Sequence, residues 1–145
     1  MHCYLIKVES SHQEKDKLFS GEYLKRGEEL ESDNGKFALA LKEDGFLELM
    51  EKDMNNTLWK VGTGRGDKLV LQVDGNAVLV DDKMNILWQS NTMDSKDSEI
   101  AALWLKDDGN LVIVDKMDSV KWQTGTGSKT NNWFIFLIEK NLKII

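Results

Sequence analysis

The chain holds a single cysteine, Cys3, and only two histidines, His2 and His12. One thiol cannot close an intrachain disulfide, and these residues at the N-terminus make a poor metal site. No metal or other cofactor is therefore expected. The same scarcity leaves no Ser-His or Cys-His arrangement for nucleophilic catalysis. Carboxylates are plentiful, but a glycosidase needs two of them, differently tuned, across one sugar. The Asp-rich turns also lack the ligand spacing of an EF-hand calcium loop. An enzyme is not expected.

A basic block is missing too. Lys and Arg number 19 against 25 Asp and Glu, a net charge of -6. Phosphate backbones and anionic membrane surfaces are met by a basic stripe, so neither nucleic acid nor a membrane surface is the expected partner. The apolar run Trp133-Phe134-Ile135-Phe136-Leu137-Ile138 falls far short of the roughly 20 residues that span a bilayer, so membrane insertion is not expected. The N-terminal Met1-His2-Cys3-Tyr4-Leu5-Ile6-Lys7 is apolar for too few residues to be a signal peptide's apolar core. The expected location is the cytoplasm, or outside the cell by a non-classical route. No stretch carries a helical period over a helix's length. Proline is absent altogether, and we have no physical account of that.

What the chain does have is one pattern written three times. Leu39-Ala40-Leu41-Lys42-Glu43-Asp44-Gly45-Phe46-Leu47-Glu48-Leu49-Met50 aligns without gaps on two later segments. These are Leu69-Val70-Leu71-Gln72-Val73-Asp74-Gly75-Asn76-Ala77-Val78-Leu79-Val80 and Leu103-Trp104-Leu105-Lys106-Asp107-Asp108-Gly109-Asn110-Leu111-Val112-Ile113-Val114. Alternation with a period of two marks half-buried strands, and an Asp-Gly pair between two such runs marks a hairpin. The predicted core face is Leu39, Leu41, Leu47, Leu49, Leu69, Leu71, Ala77, Leu79, Leu103, Leu105, Leu111 and Ile113.

A tryptophan follows each hairpin. Trp59, Trp88 and Trp122 come fifteen, fourteen and fourteen residues after the turn aspartates Asp44, Asp74 and Asp108. Large aromatics at equivalent places in three copies are expected to meet around a pseudo-threefold axis and fill it.

The second copy contains Gln72-x-Asp74-x-Asn76-x-Val78-x-Val80, which resembles the bulb-type, or monocot, mannose-binding lectin motif Gln-x-Asp-x-Asn-x-Val-x-Tyr. The third matches at Asp108, Asn110 and Val112, with Lys106 and Val114 at the flanking places. Leu18-Phe19-Ser20-Gly21-Glu22-Tyr23-Leu24 is similar to the family's opening strand, and Trp122-Gln123-Thr124-Gly125-Thr126 to its closing one. The resemblance spans residues 18–126.

That resemblance implies an all-β fold: a β-prism of three four-stranded antiparallel sheets with pseudo-threefold symmetry and one candidate sugar site per sheet. It implies an N-terminal extension over residues 1–17, a lectin domain over 18–127 and an apolar tail over 128–145. In such a site Asp and Asn grip an axial 2-hydroxyl, Gln reaches the 3-hydroxyl, Tyr takes the 4-hydroxyl and Val meets ring carbons. Acceptor-only Asp beside donor-and-acceptor Asn and Gln covers both senses of hydroxyl hydrogen bonding.

The candidate carbohydrate-binding residues are thus Gln72, Asp74, Asn76, Val78, Val80, Asp108, Asn110 and Val112, and the expected partner is mannose or a mannose-containing glycan. Val80 lacks the family's phenolic hydroxyl, a loss on the order of 1 kcal/mol. Lys106 only donates, and is able to pair with Asp108 and occupy the third pocket. In the first copy only Asp44 survives, Phe46 would block the pocket, and no site is expected. The competing reading is a protein-interaction scaffold of lectin fold with degenerate sugar sites. The tail run is expected to pack back on the prism or to pair with another copy, and a homodimer is expected. Arg65-Gly66-Asp67 and Asn55-Asn56-Thr57 are read as plain connections between sheets, rather than an integrin tripeptide and a glycosylation acceptor.

Overall fold

The computed structural model describes residues 12–93 and 99–128. Among these residues all regular structure is β: twelve strands in three four-stranded antiparallel sheets. Three short strands come first, β1 (Lys17–Phe19), β2 (Tyr23–Lys25) and β3 (Glu29–Glu31). They do not pair with one another. In the first sheet β3 joins β4 (Phe37–Leu41), β5 (Leu47–Glu51) and β6 (Asn56–Val61). In the second, β2 joins β7 (Lys68–Leu71), β8 (Ala77–Val80) and β9 (Ile86–Gln89). In the third, β1 joins β10 (Ile100–Leu105), β11 (Leu111–Asp115) and β12 (Val120–Gln123). This is the expected β-prism.

The predicted hairpins form in matching register, closed by the pairs Leu41↔Leu47, Leu71↔Ala77 and Leu105↔Leu111. Each is a three-residue loop rather than a two-residue one. Lys42 N donates to Phe46 O, and the Gly45 N–H returns to Lys42 O, both at 2.9 Å. That geometry puts the loop's last residue in the left-handed region, where glycine is nearly free of strain. Gly45, Gly75 and Gly109 lie there at φ 85, 93 and 90°. The preceding aspartates lock the turn: Asp44, Asp74 and Asp108 Oδ1 accept the N–H two residues on, at 3.0, 3.0 and 2.9 Å.

All twelve predicted core residues are at most 2% exposed. The short strands each add one fully buried leucine, Leu18, Leu24 and Leu30, paired with Leu103, Leu69 and Leu39. Fully burying a leucine is worth about 1.5–3 kcal/mol, so this shared interior is the main source of stability. The three tryptophans meet as predicted. Their ring centroids are 5.4, 5.8 and 5.5 Å apart, all edge-to-face. Each sits opposite its sheet's core residue, Leu49, Leu79 or Ile113, with a register shift just beyond. The extra residue before Trp59 is taken up in the β5–β6 turn, where Met50 pairs with Thr57; Val80 pairs with Ile86 and Val114 with Val120.

Asn55-Asn56-Thr57 does not connect sheets: Asn56 and Thr57 open β6, paired with Glu51 and Met50 of the same sheet. The Arg65-Gly66-Asp67 segment joins the first sheet to the second, as expected. Gly66 is buried, its N–H bonded to Gly45 O at 2.9 Å, and a Cβ there would fall 2.5 Å from that oxygen. Arg26 Nε donates to Gly66 O at 2.9 Å. The tripeptide is a rigid seam. Most of the N-terminal extension, all but the first residue of the apolar tail, and its run at 133–138 lie outside the described residues. Lys15 and Asp16 are already part of the prism, their carbonyls accepting from Glu31 N at 2.7 Å and Leu105 N at 2.9 Å.

Candidate functional site

In the second sheet the leucines face inward, which turns Gln72, Asp74, Asn76, Val78 and Val80 to the outer face. Asp74 spends part of Oδ1 on the turn. With its amide oriented to donate, Gln72 reaches Asp74 Oδ1 and Oδ2 at 3.2 and 3.3 Å. The structure therefore brings these two polar groups together. Asn76 is only 4% exposed. Its Nδ2 donates to Gln89 Oε1 at 2.9 Å, and its Oδ1 accepts from Ser90 Oγ and Thr92 N, both at 3.3 Å. Thr92 Oγ1 donates to Gly75 O at 2.6 Å, tying the same segment to the turn. One amide hydrogen of Asn76 has no partner among the described residues. Val78 and Val80 are 1% and 2% exposed, the floor of this face.

The third sheet repeats the arrangement. Asn110 Nδ2 donates to Gln123 Oε1 at 2.8 Å. Its Oδ1 accepts from Thr124 Oγ1, Gly125 N and Thr126 N at 3.2, 3.0 and 3.2 Å. Thr126 Oγ1 donates to Gly109 O at 2.7 Å, and Ser128 Oγ to Asp108 O at 2.9 Å. Val112 and Val114 form a small apolar cluster with Ala102, capped by Trp104. Lys106 does not pair with Asp108. Its ammonium lies 5.3 Å from the centre of the Trp104 ring instead, where the indole face attracts a cation.

The first sheet fills its own face. Phe46 stands in the Asn place, and the Lys60 ammonium sits 4.3 Å above its ring. Glu48, in the Val place, is 7% exposed, accepts from Thr57 Oγ1 at 3.2 Å and pairs with Lys60 at 3.8 Å. Asp44 is left as a turn residue.

The sequence reading gave Trp122 to Thr126 only as a closing strand, and missed that this segment and its counterpart Trp88 to Thr92 hold the two asparagines. Gln89, Ser90 and Thr92, and Gln123, Thr124 and Thr126, strap each asparagine into one orientation. The signal was present as Trp-Gln-Ser-Asn-Thr and Trp-Gln-Thr-Gly-Thr. The fourth residue of each is left-handed, Asn91 at φ 59° and Gly125 at φ 74°. The first copy reads Trp59-Lys60-Val61-Gly62-Thr63 and has lost the glutamine and the first hydroxyl. Among the described residues no three His, Cys, Asp or Glu gather closely enough to hold a metal ion, and no helix is long and apolar enough to cross a membrane.

No protein-family model and no curated protein sequence matches the chain. Solved structures do. A Japanese Marasmius oreades lectin superposes with a TM-score of 0.72 at 27% identity, over 81% of this chain and 96% of that one. A monomeric monocot mannose-binding lectin from Gastrodia elata gives 0.66 at 31% identity, over 77% and 98%. The mannose-specific agglutinin of snowdrop (Galanthus nivalis) bulbs, complexed with methyl-α-D-mannoside, gives 0.60 at 31% identity, over 78% and 98%. With this identity, this coverage and the prism itself, the chain belongs to the bulb-type mannose-binding lectin family.

Proposed function

We propose that the chain is a mannose-binding lectin module whose principal site is the outer face of the second sheet. Asp74 accepts from sugar hydroxyls, Gln72 and Asn76 both donate and accept, and Val78 and Val80 floor the site. The observation that carries this reading is the strapped Asn76: three bonds from β9 and the segment after it fix its amide, while one hydrogen stays uncommitted among the described residues. A buried amide held in one orientation rejects a hydroxyl of the wrong stereochemistry, because the mismatch leaves polar groups unpaired. The third sheet offers a partial site through Asp108, Asn110 and Val112. The first offers none. Similar structures include mannose-binding proteins, one of them with a mannoside bound, which supports the ligand class.

Retention on a mannan matrix tests the reading. Asp74→Asn keeps an oxygen for the turn but removes the carboxylate, and is expected to abolish retention while the fold persists. Retention unchanged in Asp74→Asn, or none by the folded native chain, would leave the protein-interaction scaffold as the better account. Homodimerisation through residues 129–145 belongs to the same proposal. All three sheets already have four strands from this chain, so a partner's strand would add to the prism rather than complete it.

A further inference from the structure

We propose that the outer face of the third sheet, centred on Trp104 between Lys17 and Lys106, is a binding site for a sugar that carries an acid group. The inference rests on reading the sheet faces as sugar sites and adds to the third a cleft that Asp108, Asn110 and Val112 do not line. Trp104 has only Val70 and Ala40 at the corresponding places of the other sheets, opposite Tyr23 and Glu29. It is half-buried on the Ala102–Val112–Val114 cluster, so its ring is held in place by packing. An indole face of this kind suits the C–H face of a pyranose.

Two ammonium groups converge on that ring, Lys17 at 4.8 Å and Lys106 at 5.3 Å from its centre. Lys106 replaces Gln72 of the second sheet, which exchanges a neutral donor-and-acceptor for a charged group that only donates. Its matching ligand group is an anion. Lys17 has Asp16 at 3.7 Å, whereas Lys106 forms no ion pair among the described residues. The Asp107 carboxylate, the nearest in sequence, is engaged by Asn34 N at 2.9 Å. Trp104 and both lysines line a cleft of about 720 Å³, the size of pockets that hold small ligands. Lys15 and four carboxylates also line it. Asp16 is paired with Lys17 and Asp107 is engaged by Asn34, while Glu14 and Asp33 oppose an anion, so the site favours a ligand that combines charge with a stacking face over a bare ion.

Calorimetric titration of the full chain carrying Asp74→Asn isolates this face from the second sheet. The probes are methyl β-D-glucuronide, mannose 6-phosphate, methyl α-D-mannoside and inorganic sulfate, at low salt. One or both acidic sugars are expected to bind at least about tenfold more tightly than the neutral mannoside. Lys106→Gln is expected to remove that advantage, the size of one charge-assisted hydrogen bond. The tighter of the two acidic sugars identifies the source as a uronic carboxylate or a phosphate ester. Equal binding of acidic and neutral sugars, sulfate binding as well as the sugar acids, or an unchanged preference in Lys106→Gln would each overturn the proposal. None of these results depends on whether the intact second sheet holds mannose, which the mannan experiment reads separately.

Discussion

Asn76 Nδ2 lies 2.9 Å from Gln89 Oε1, and one sheet further round the prism Asn110 Nδ2 lies 2.8 Å from Gln123 Oε1. The same amide–amide bond thus anchors the motif asparagine wherever the motif survives. Where phenylalanine has replaced the asparagine, the glutamine has become Lys60 and sits over the phenylalanine ring. The site residue and its strap have changed together.

Gln89→Ala removes the acceptor of the buried Asn76 amide. We expect it to cost about 1–2 kcal/mol in urea unfolding, the penalty for an unsatisfied buried donor. Mannoside affinity should fall with it, because the Asn76 amide loses one of the three bonds that orient it. Gln123→Ala, in the more exposed third sheet, should cost less and leave mannan retention unchanged. Equal effects of the two substitutions on retention would mean that the second sheet is not the principal site.

The tryptophan triangle stabilises the whole prism. Trp88→Ala is expected to cost about 3 kcal/mol, the low end of the range for aromatic truncation because the ring is only partly buried. A double-mutant cycle between Trp59 and Trp88 should return a coupling of about 0.5–1.5 kcal/mol from their edge-to-face contact. A coupling near zero would mean that the rings merely share a location.

Stability should fall in acid. Asn85 donates to Asp81 from its side chain at 3.0 Å and its backbone at 2.8 Å, with Lys83 N at 2.9 Å, and these bonds hold the carboxyl below the ordinary range. Asp115 is lowered by the N–H groups of Ser119 and Met117, both at 2.9 Å, and by Lys121. A folded-state value below the unfolded one gives stability that is present above about pH 4, the unfolded Asp range, and lost as the pH drops through the folded values. The urea midpoint should hold steady between about pH 7 and 5 and decline below about 4. The Asp81→Asn, Asp115→Asn double variant should decline less steeply; an identical decline would place the acid-sensitive groups elsewhere.

Removal of residues 129–145 tests the dimer. Light scattering should give twice the chain mass for the full protein and a single chain mass after truncation. The same mass in both would remove the tail from any role in assembly.

The hairpins, the leucine face and the tryptophan triangle were legible because each is written locally: period-two alternation, an Asp-Gly turn, and one large aromatic at a nearly constant offset. The three opening strands were legible only in part: Leu18 to Leu24 reads as one opening strand, whereas the structure divides it into β1 and β2 of different sheets. Three residues are too few to show a period, and their trace was Leu18, Leu24 and Leu30 at six-residue intervals. That spacing does not say that each strand joins a different sheet, since the partners Leu103, Leu69 and Leu39 lie at widely different distances along the chain. The polar motif of the second sheet was legible as residue types. The strap was not, because hydrogen bonds from Gln89 and Thr92 to Asn76 exist only once β9 lies against β8. Lys106 was misread for a related reason: sequence proximity suggested Asp108, while the pleat set it beside Trp104 on the same strand.

The most direct measurement is a two-dimensional NMR titration of the ¹⁵N-labelled chain with methyl α-D-mannoside. The signals of Gln72, Asp74 and Asn76, side-chain amides included, should shift in a saturable way, while those of Phe46 and Lys60 stay still. Saturable shifts confined to the first sheet, or no shifts at all in a folded chain, would contradict the account.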